Sequence, residues 1–109
     1  MKVEIDHRVL KFLKKLNTKD SAKAFEYIEL FEEYGFELDQ NYLKKVHGSI
    51  WELRPKNIRL YLFVKSVTQI VIHAIIKKSQ KITSKDMATV ISRMKEYENK
   101  TQNLFSQTG

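Results

Sequence analysis

The sequence predicts an α+β fold: a small antiparallel β-sheet, made of a meander plus a short N-terminal strand, packed on two N-terminal helices, with a C-terminal helix after it. Three observations predict it. Apolar residues recur at intervals of three and four up to Gly35 and again beyond Ser84, the period of an amphipathic helix. Between Val46 and Ile76 the chain turns to β-branched and aromatic residues in three short runs, which is the signature of strands. The 109 residues hold no internal repeat and no Pro/Gly-rich linker, so a single domain is expected over 1–109.

The elements follow in order. Val3 and Ile5 form the short apolar start. From Asp6 to Leu16, Val9, Leu10, Leu13 and Leu16 fall at helical spacing, with Asp6 as the N-cap. Asn17 to Asp20 interrupts that helix. From Ser21, the residues Ala24, Phe25, Ile28 and Phe31 define a second helix that Gly35 stops. The strand runs are Ser49 to Arg54, Asn57 to Lys65 and Gln69 to Lys77; connections as short as Pro55-Lys56 and Ser66-Val67-Thr68 make them a three-stranded meander. Ser84 to Glu98 aligns Met87, Val90, Ile91, Met94 and Tyr97 on one helical stripe, and Thr83 with Asp86 has capping-box spacing. From about residue 99 a frayed polar tail is expected, with Leu104 and Phe105 its only bulky apolar pair.

Composition narrows the function classes. Twenty Lys and Arg against thirteen Asp and Glu leave a charge of +7, and a pI near 9.6 favours polyanionic partners. The absence of Cys excludes disulfides, a thiolate nucleophile and a Cys-based zinc site. His7, His47 and His73 lack metal-ligand spacing, and no Gly-rich phosphate loop is present, so neither metal nor cofactor is expected. The longest apolar stretch, Ile70 to Ile76, is interrupted by His73 and is far short of the ~20 residues a membrane span needs. Glu4 and Asp6 interrupt any apolar core of a signal peptide, so a cytoplasmic protein with no membrane partner is expected.

Side chains alternate across a strand, so parity sorts each run into faces. Ile58, Leu60, Leu62 and Val64 oppose Arg59, Tyr61, Phe63 and Lys65; Ile70, Ile72, Ala74 and Ile76 oppose Val71, His73, Ile75 and Lys77; Trp51 and Leu53 oppose Ile50, Glu52 and Arg54. One face is expected to be core. The other gathers Glu52, Arg54, Arg59, Tyr61, His73 and Lys77. Lys44-Lys45 precede the sheet and Lys77-Lys78 with Lys81 follow it, so basic clusters flank the meander, as a phosphate-binding surface requires. Tyr61, Phe63 and His73 offer flat rings on which unpaired bases stack. An ordinary solvated sheet face with cross-strand charge pairs such as Glu52 and Arg59 is the plainer reading of the same pattern.

The run Tyr42-Leu43-Lys44-Lys45-Val46-His47-Gly48-Ser49-Ile50-Trp51-Glu52-Leu53-Arg54, then Asn57 to Phe63, then His73-Ala74-Ile75-Ile76-Lys77-Lys78-Ser79-Gln80-Lys81, resembles the HigB-like, phage-derived branch of the RelE/ParE toxin superfamily. The similarity spans residues 42 to 97. It implies a RelE-like fold in agreement with the element order above. It also implies a toxin of a type II toxin–antitoxin pair, an mRNA interferase that enters the ribosomal A site, cleaves mRNA and inhibits translation. Its partners would be the ribosome, mRNA and a helix-turn-helix antitoxin; nothing in the sequence sets the oligomeric state. Carried over by position, Arg54 and Arg59 match the family's basic strand residues and Lys77 with Lys78 its basic pair. Many relatives continue with Thr-Pro, whereas Lys81 is followed here by Ile82-Thr83-Ser84.

Metal-independent cleavage by such a protein needs a base for the ribose 2′-OH, cations for the phosphate and an acid for the leaving oxygen. The expected catalytic set is Arg59 and Lys77 stabilising charge, Arg54 positioning a phosphate, and Glu52 or His73 transferring protons. Lys44, Lys45, Tyr61, Lys78 and Lys81 are the expected RNA-binding residues, with Tyr61 stacking or donating. The alternatives are a non-enzymatic ParE-like gyrase inhibitor and an inactive nucleic-acid-binding relative.

Overall fold

Asp6 begins the first helix as its sequence position requires. In the computed structural model, which describes residues 1–65 and 67–108 and side chains through residue 100, its carboxylate accepts from the Arg8 backbone N–H at 2.8 Å and caps α1 (His7–Lys15). Lys14 and Lys15 sit in the last turn, where the helix dipole favours cations. Asn17 accepts from Asp20 N–H at 2.9 Å, so the segment that breaks α1 also caps α2 (Thr18–Tyr34), which starts three residues before the expected Ser21. Gly35 ends α2 with φ +58°, a conformation other residues adopt only under strain, and leads into a 3-10 turn, Gly35–Glu37.

Five strands form one sheet: β1 (Lys2–Ile5), β2 (Leu43–His47), β3 (Ile50–Leu53), β4 (Ile58–Val64) and β5 (Thr68–Ile76), in the order β1-β5-β4-β3-β2. β1 runs parallel to β5; all other pairs are antiparallel. The meander therefore has four strands where three were expected. β2 escapes a sequence reading because Lys44 and Lys45 are both exposed and a register shift between Lys45 and His47 breaks its alternation. Gly48, at φ +53°, makes the tight turn into β3. In the connection between β4 and β5, Ser66 lies outside the described residues.

Val9 and Leu13 of α1 and Ala24, Ile28 and Phe31 of α2 pack on Leu43, Leu53, Ile58, Leu60, Leu62, Val71 and Ala74 of the sheet. Trp51 packs partly buried against this core, as its parity predicts. One expectation fails in β5. Tyr61 pairs with His73, but Leu62 pairs with Val71, so Ile72 is one extra residue and the parity inverts there. Val71 joins Ala74 in the core, and Ile70 moves to the opposite face beside Phe63. Nor is the second face the solvated surface of the plainer reading. Ile50, Phe63 and Ile70 lie in one cross-strand row and all three are buried.

Contacts divide the chain into two compact units, Met1–Lys78 and Ser79–Gly109. In the second, Thr83 Oγ1 accepts from Asp86 N–H at 3.1 Å and donates to Asp86 Oδ2 at 2.9 Å, so Thr83 caps the start of α3 (Ser84–Thr108) with Asp86 as the partner their spacing predicts. The helix runs past the expected Glu98, consistent with the absence of Pro and Gly from residues 84–108. The side chains of Leu104 and Phe105 lie outside the described residues. No described helix is long and apolar enough to cross a membrane.

Candidate functional site

Register builds the site. Lys44 lies opposite Glu52, Glu52 opposite Tyr61, and Tyr61 opposite His73, so four polar residues from four successive strands form one row on one sheet face. Tyr61 donates to Glu52 Oε2 at 2.8 Å, and its ring stacks against His73 with centroids 6.2 Å apart and planes 25° from parallel. Glu52 also lies 3.4 Å, through Oε1, from Arg54 Nε, which is buried and too poorly aligned there for a hydrogen bond. The carboxylate is thereby held between a phenol and a guanidinium.

Arg54 follows β3 on the parity of Glu52. Its backbone N–H donates to Tyr42 O at 2.9 Å and its Nη1 to Gln40 O at 3.1 Å, while 28% of its side chain remains exposed. Arg59 lies opposite Ile75 and is only 8% exposed. Its Nη1 donates at 2.8 Å to both Lys56 O and Ile58 O, the first within a turn that holds Lys56 at φ +49°. Burial pushes the Arg59 pKa down, the nearby Glu52 carboxylate opposes that shift, and the like charge of Arg54 adds to it. The group stays cationic regardless.

The predicted residues therefore separate. Glu52, Arg54, Arg59, Tyr61 and His73 come together, but Tyr61 is 1% exposed and its ring face is closed to a stacking base, as is that of buried Phe63. His73 is half-buried. Lys77 and Lys78 are both exposed, and the Lys77 N–H donates to Asn57 O. Lys44 joins the row, whereas Lys45 lies opposite Trp51 on the core-facing side. Lys81 belongs to the second unit, where it is exposed and its carbonyl accepts from Ser79 Oγ at 2.8 Å.

Sequence reasoning missed Gln40, Tyr42 and Tyr27. The first two act through backbone carbonyls, which carry no side-chain signal. Tyr27 packs against Tyr42 with ring centroids 5.2 Å apart; burial raises its pKa above the ordinary value, Tyr42 adds to that, and the positive charges of Lys23 and Arg59 pull against it. Among the described residues, no cluster of three His, Asp or Glu side chains is placed to hold a metal. The arrangement supplies cations for an anion beside two groups able to carry protons.

Residues 11–95, more than three quarters of the chain and all of the predicted site, match the sequence profile of the phage derived protein Gp49-like family (DUF891). The chain belongs to the Gp49-like family. This is a family of RelE/HigB-like toxins, and the five-stranded α+β architecture is compatible with a RelE-like fold. Membership is consistent with a toxin of a toxin–antitoxin pair and suggests an antitoxin as partner. A search of curated proteins finds no match. In this Gp49-like chain the matched segment starts within α1, leaving β1 outside, and contains the whole four-strand meander.

Proposed function

We propose that the chain is the toxin of a type II toxin–antitoxin pair, on the HigB-like side of its family, and that it cleaves mRNA at the ribosome without a metal. The observation that carries this reading is the Lys44–Glu52–Tyr61–His73 row with Arg54 and Arg59 beside it: proton carriers and cations share one sheet face. The reaction is attack of a ribose 2′-OH on its own 3′ phosphate. The O2′–P bond forms, the P–O5′ bond breaks, and a cyclic phosphate and a 5′-OH result.

Exposure supports a different division of roles from the one expected from sequence alone. Arg54 and Lys77 reach solvent and bind the phosphate oxygens, while Lys44 and Lys78 hold the flanking backbone. Arg59, fixed on two carbonyls, contributes a preorganised positive charge from beneath the surface. His73 transfers the proton; Glu52, engaged by Tyr61 and Arg54, orients the row. A protein acting on ribosomes works in the cytoplasm, silenced there by a helix-turn-helix antitoxin.

Primer extension on translated messages after brief induction tests the reading. Discrete breaks that vanish with Lys77→Ala or Arg54→Ala support it. The burial of Tyr61 and Arg59 favours a second reading, a non-enzymatic ParE-like gyrase inhibitor, for which intact messages with altered DNA supercoiling are the expected result.

A further inference from the structure

The charge of this basic protein is not evenly spread. Residues 26–39 hold Glu26, Glu29, Glu32, Glu33, Glu37 and Asp39 and no Lys or Arg. The end of α2, the 3-10 turn and the loop that follows, up to Tyr42, form an open cleft of about 430 Å³ lined by Leu30, Tyr34, Glu37, Leu38, Asp39 and Tyr42. Tyr34 is 48% exposed and Tyr42 36%. Large aromatic side chains so exposed mark interaction surfaces more often than chance placement does. The cleft thus brings Leu30, Leu38 and two tyrosines together with the carboxylates of Glu37 and Asp39 on a protein of net charge +7.

We propose that this cleft is the docking site of the antitoxin, and that its occupant is a short amphipathic segment with Lys or Arg flanking Leu- or Phe-like side chains. The inference rests on the toxin reading above. Charge complementarity selects the occupant: an RNA strand would meet Glu37 and Asp39 as like charges, whereas a cationic segment pairs with them while its apolar side chains cover Leu30, Leu38 and the two tyrosines.

The cleft is linked to the candidate site through one loop. Asp39 and Tyr42 line it, and the same short loop holds Arg54, through Gln40 O on the guanidinium and Tyr42 O on the backbone N–H. Tyr42 in turn packs on Tyr27, whose phenol feels the Arg59 charge. A segment docked in the cleft therefore bears on the loop that positions Arg54.

The test uses the full chain and, as probe, the protein encoded by the adjacent reading frame. Hydrogen exchange of the chain with and without that protein should show protection over residues 30–42. The pair Tyr34→Ala with Glu37→Lys, checked for native circular dichroism, should weaken binding by at least about tenfold, and Lys44→Glu should leave it within about twofold. Added salt should weaken the wild-type complex more than the variant. Protection confined to other segments, an unchanged affinity in the double variant, or no binding at all overturns the proposal. So does protection of 30–42 that grows with the concentration of the chain alone, which would assign the cleft to a second copy. None of these readouts requires RNA cleavage, so failure of docking and failure of the nuclease reading are distinguishable.

Discussion

Tyr61 reaches across from β4 to donate its phenolic proton to Glu52 on β3 at 2.8 Å, and this bond joins the two halves of the site: the Arg54 side and the His73 side. Tyr61→Phe removes one donor from a partly buried carboxylate and should cost about 1.5–3 kcal/mol, the range for hydrogen bonds to charged groups. Chemical denaturation measures it. A loss under about 0.5 kcal/mol would show that the bond does not hold the row together.

Arg59 and Lys77 should separate activity from stability. Lys77→Ala, at an exposed position, should abolish message cleavage while changing stability by no more than about 0.5 kcal/mol. Arg59→Ala removes a buried side chain bonded to two carbonyls and should destabilise the fold by about 2 kcal/mol or more, so its loss of activity reports both effects. Paired melting and primer-extension measurements decide; a fully stable Arg59→Ala protein would contradict the anchoring role.

Asp6 is buried, caps α1, and bonds both carboxylate oxygens to Arg8, at 3.0 Å to Nε and 2.9 Å to Nη2. Asp6→Ala should therefore exceed the usual capping loss of about 1 kcal/mol and approach about 2 kcal/mol, because Arg8 loses its partner as well. The midpoint of urea unfolding gives the value. Asp6→Asn, which keeps the cap, should recover part of it.

The raised pKa of Tyr27 sets an alkaline limit. Burial and Tyr42 disfavour its phenolate, so the folded protein holds the proton above the pH at which the unfolded chain releases it. Stability then falls as pH rises past about 10, because the unfolded state binds fewer protons there. Tyr27→Phe should flatten that part of the stability curve, and an unchanged slope above pH 10 would remove Tyr27 as its source.

Gly48 has φ +53° with open space around the position a Cβ would occupy. Gly48→Ala should cost about 1 kcal/mol through backbone strain alone. A thermal melt resolves such a change in a domain of this size. Because Lys44 sits on the strand this turn aligns, a larger loss would indicate that the turn fixes the β2 register rather than merely closing it.

The helices were legible because their apolar residues keep one period from cap to stop: Asp6 and Thr83 cap where the sequence places them, and Gly35 ends α2. The strands were legible in number only in part. Lys44-Lys45 hid β2, since an edge strand with charges on both faces has no alternation to read. Of the site, the co-location of Glu52, Arg54, Arg59, Tyr61 and His73 followed from parity, because β3 and β4 carry no bulge and His73 lies on the C-terminal side of the one in β5.

By itself the amino-acid sequence determined the α+β class, the three helices and the split of β4 into an aliphatic and a polar face, since all of these are written in local spacing, while the runs 42–54, 57–63 and 73–81 carried the family resemblance. Only the tertiary structure decided that Arg59 and Tyr61 are enclosed, that Ile72 inverts the faces of β5, and that Arg54 hangs on the Gln40–Tyr42 loop. Burial and backbone-carbonyl contacts arise between segments distant along the chain, and a bulge costs one residue of register without changing composition, so no local pattern carries them.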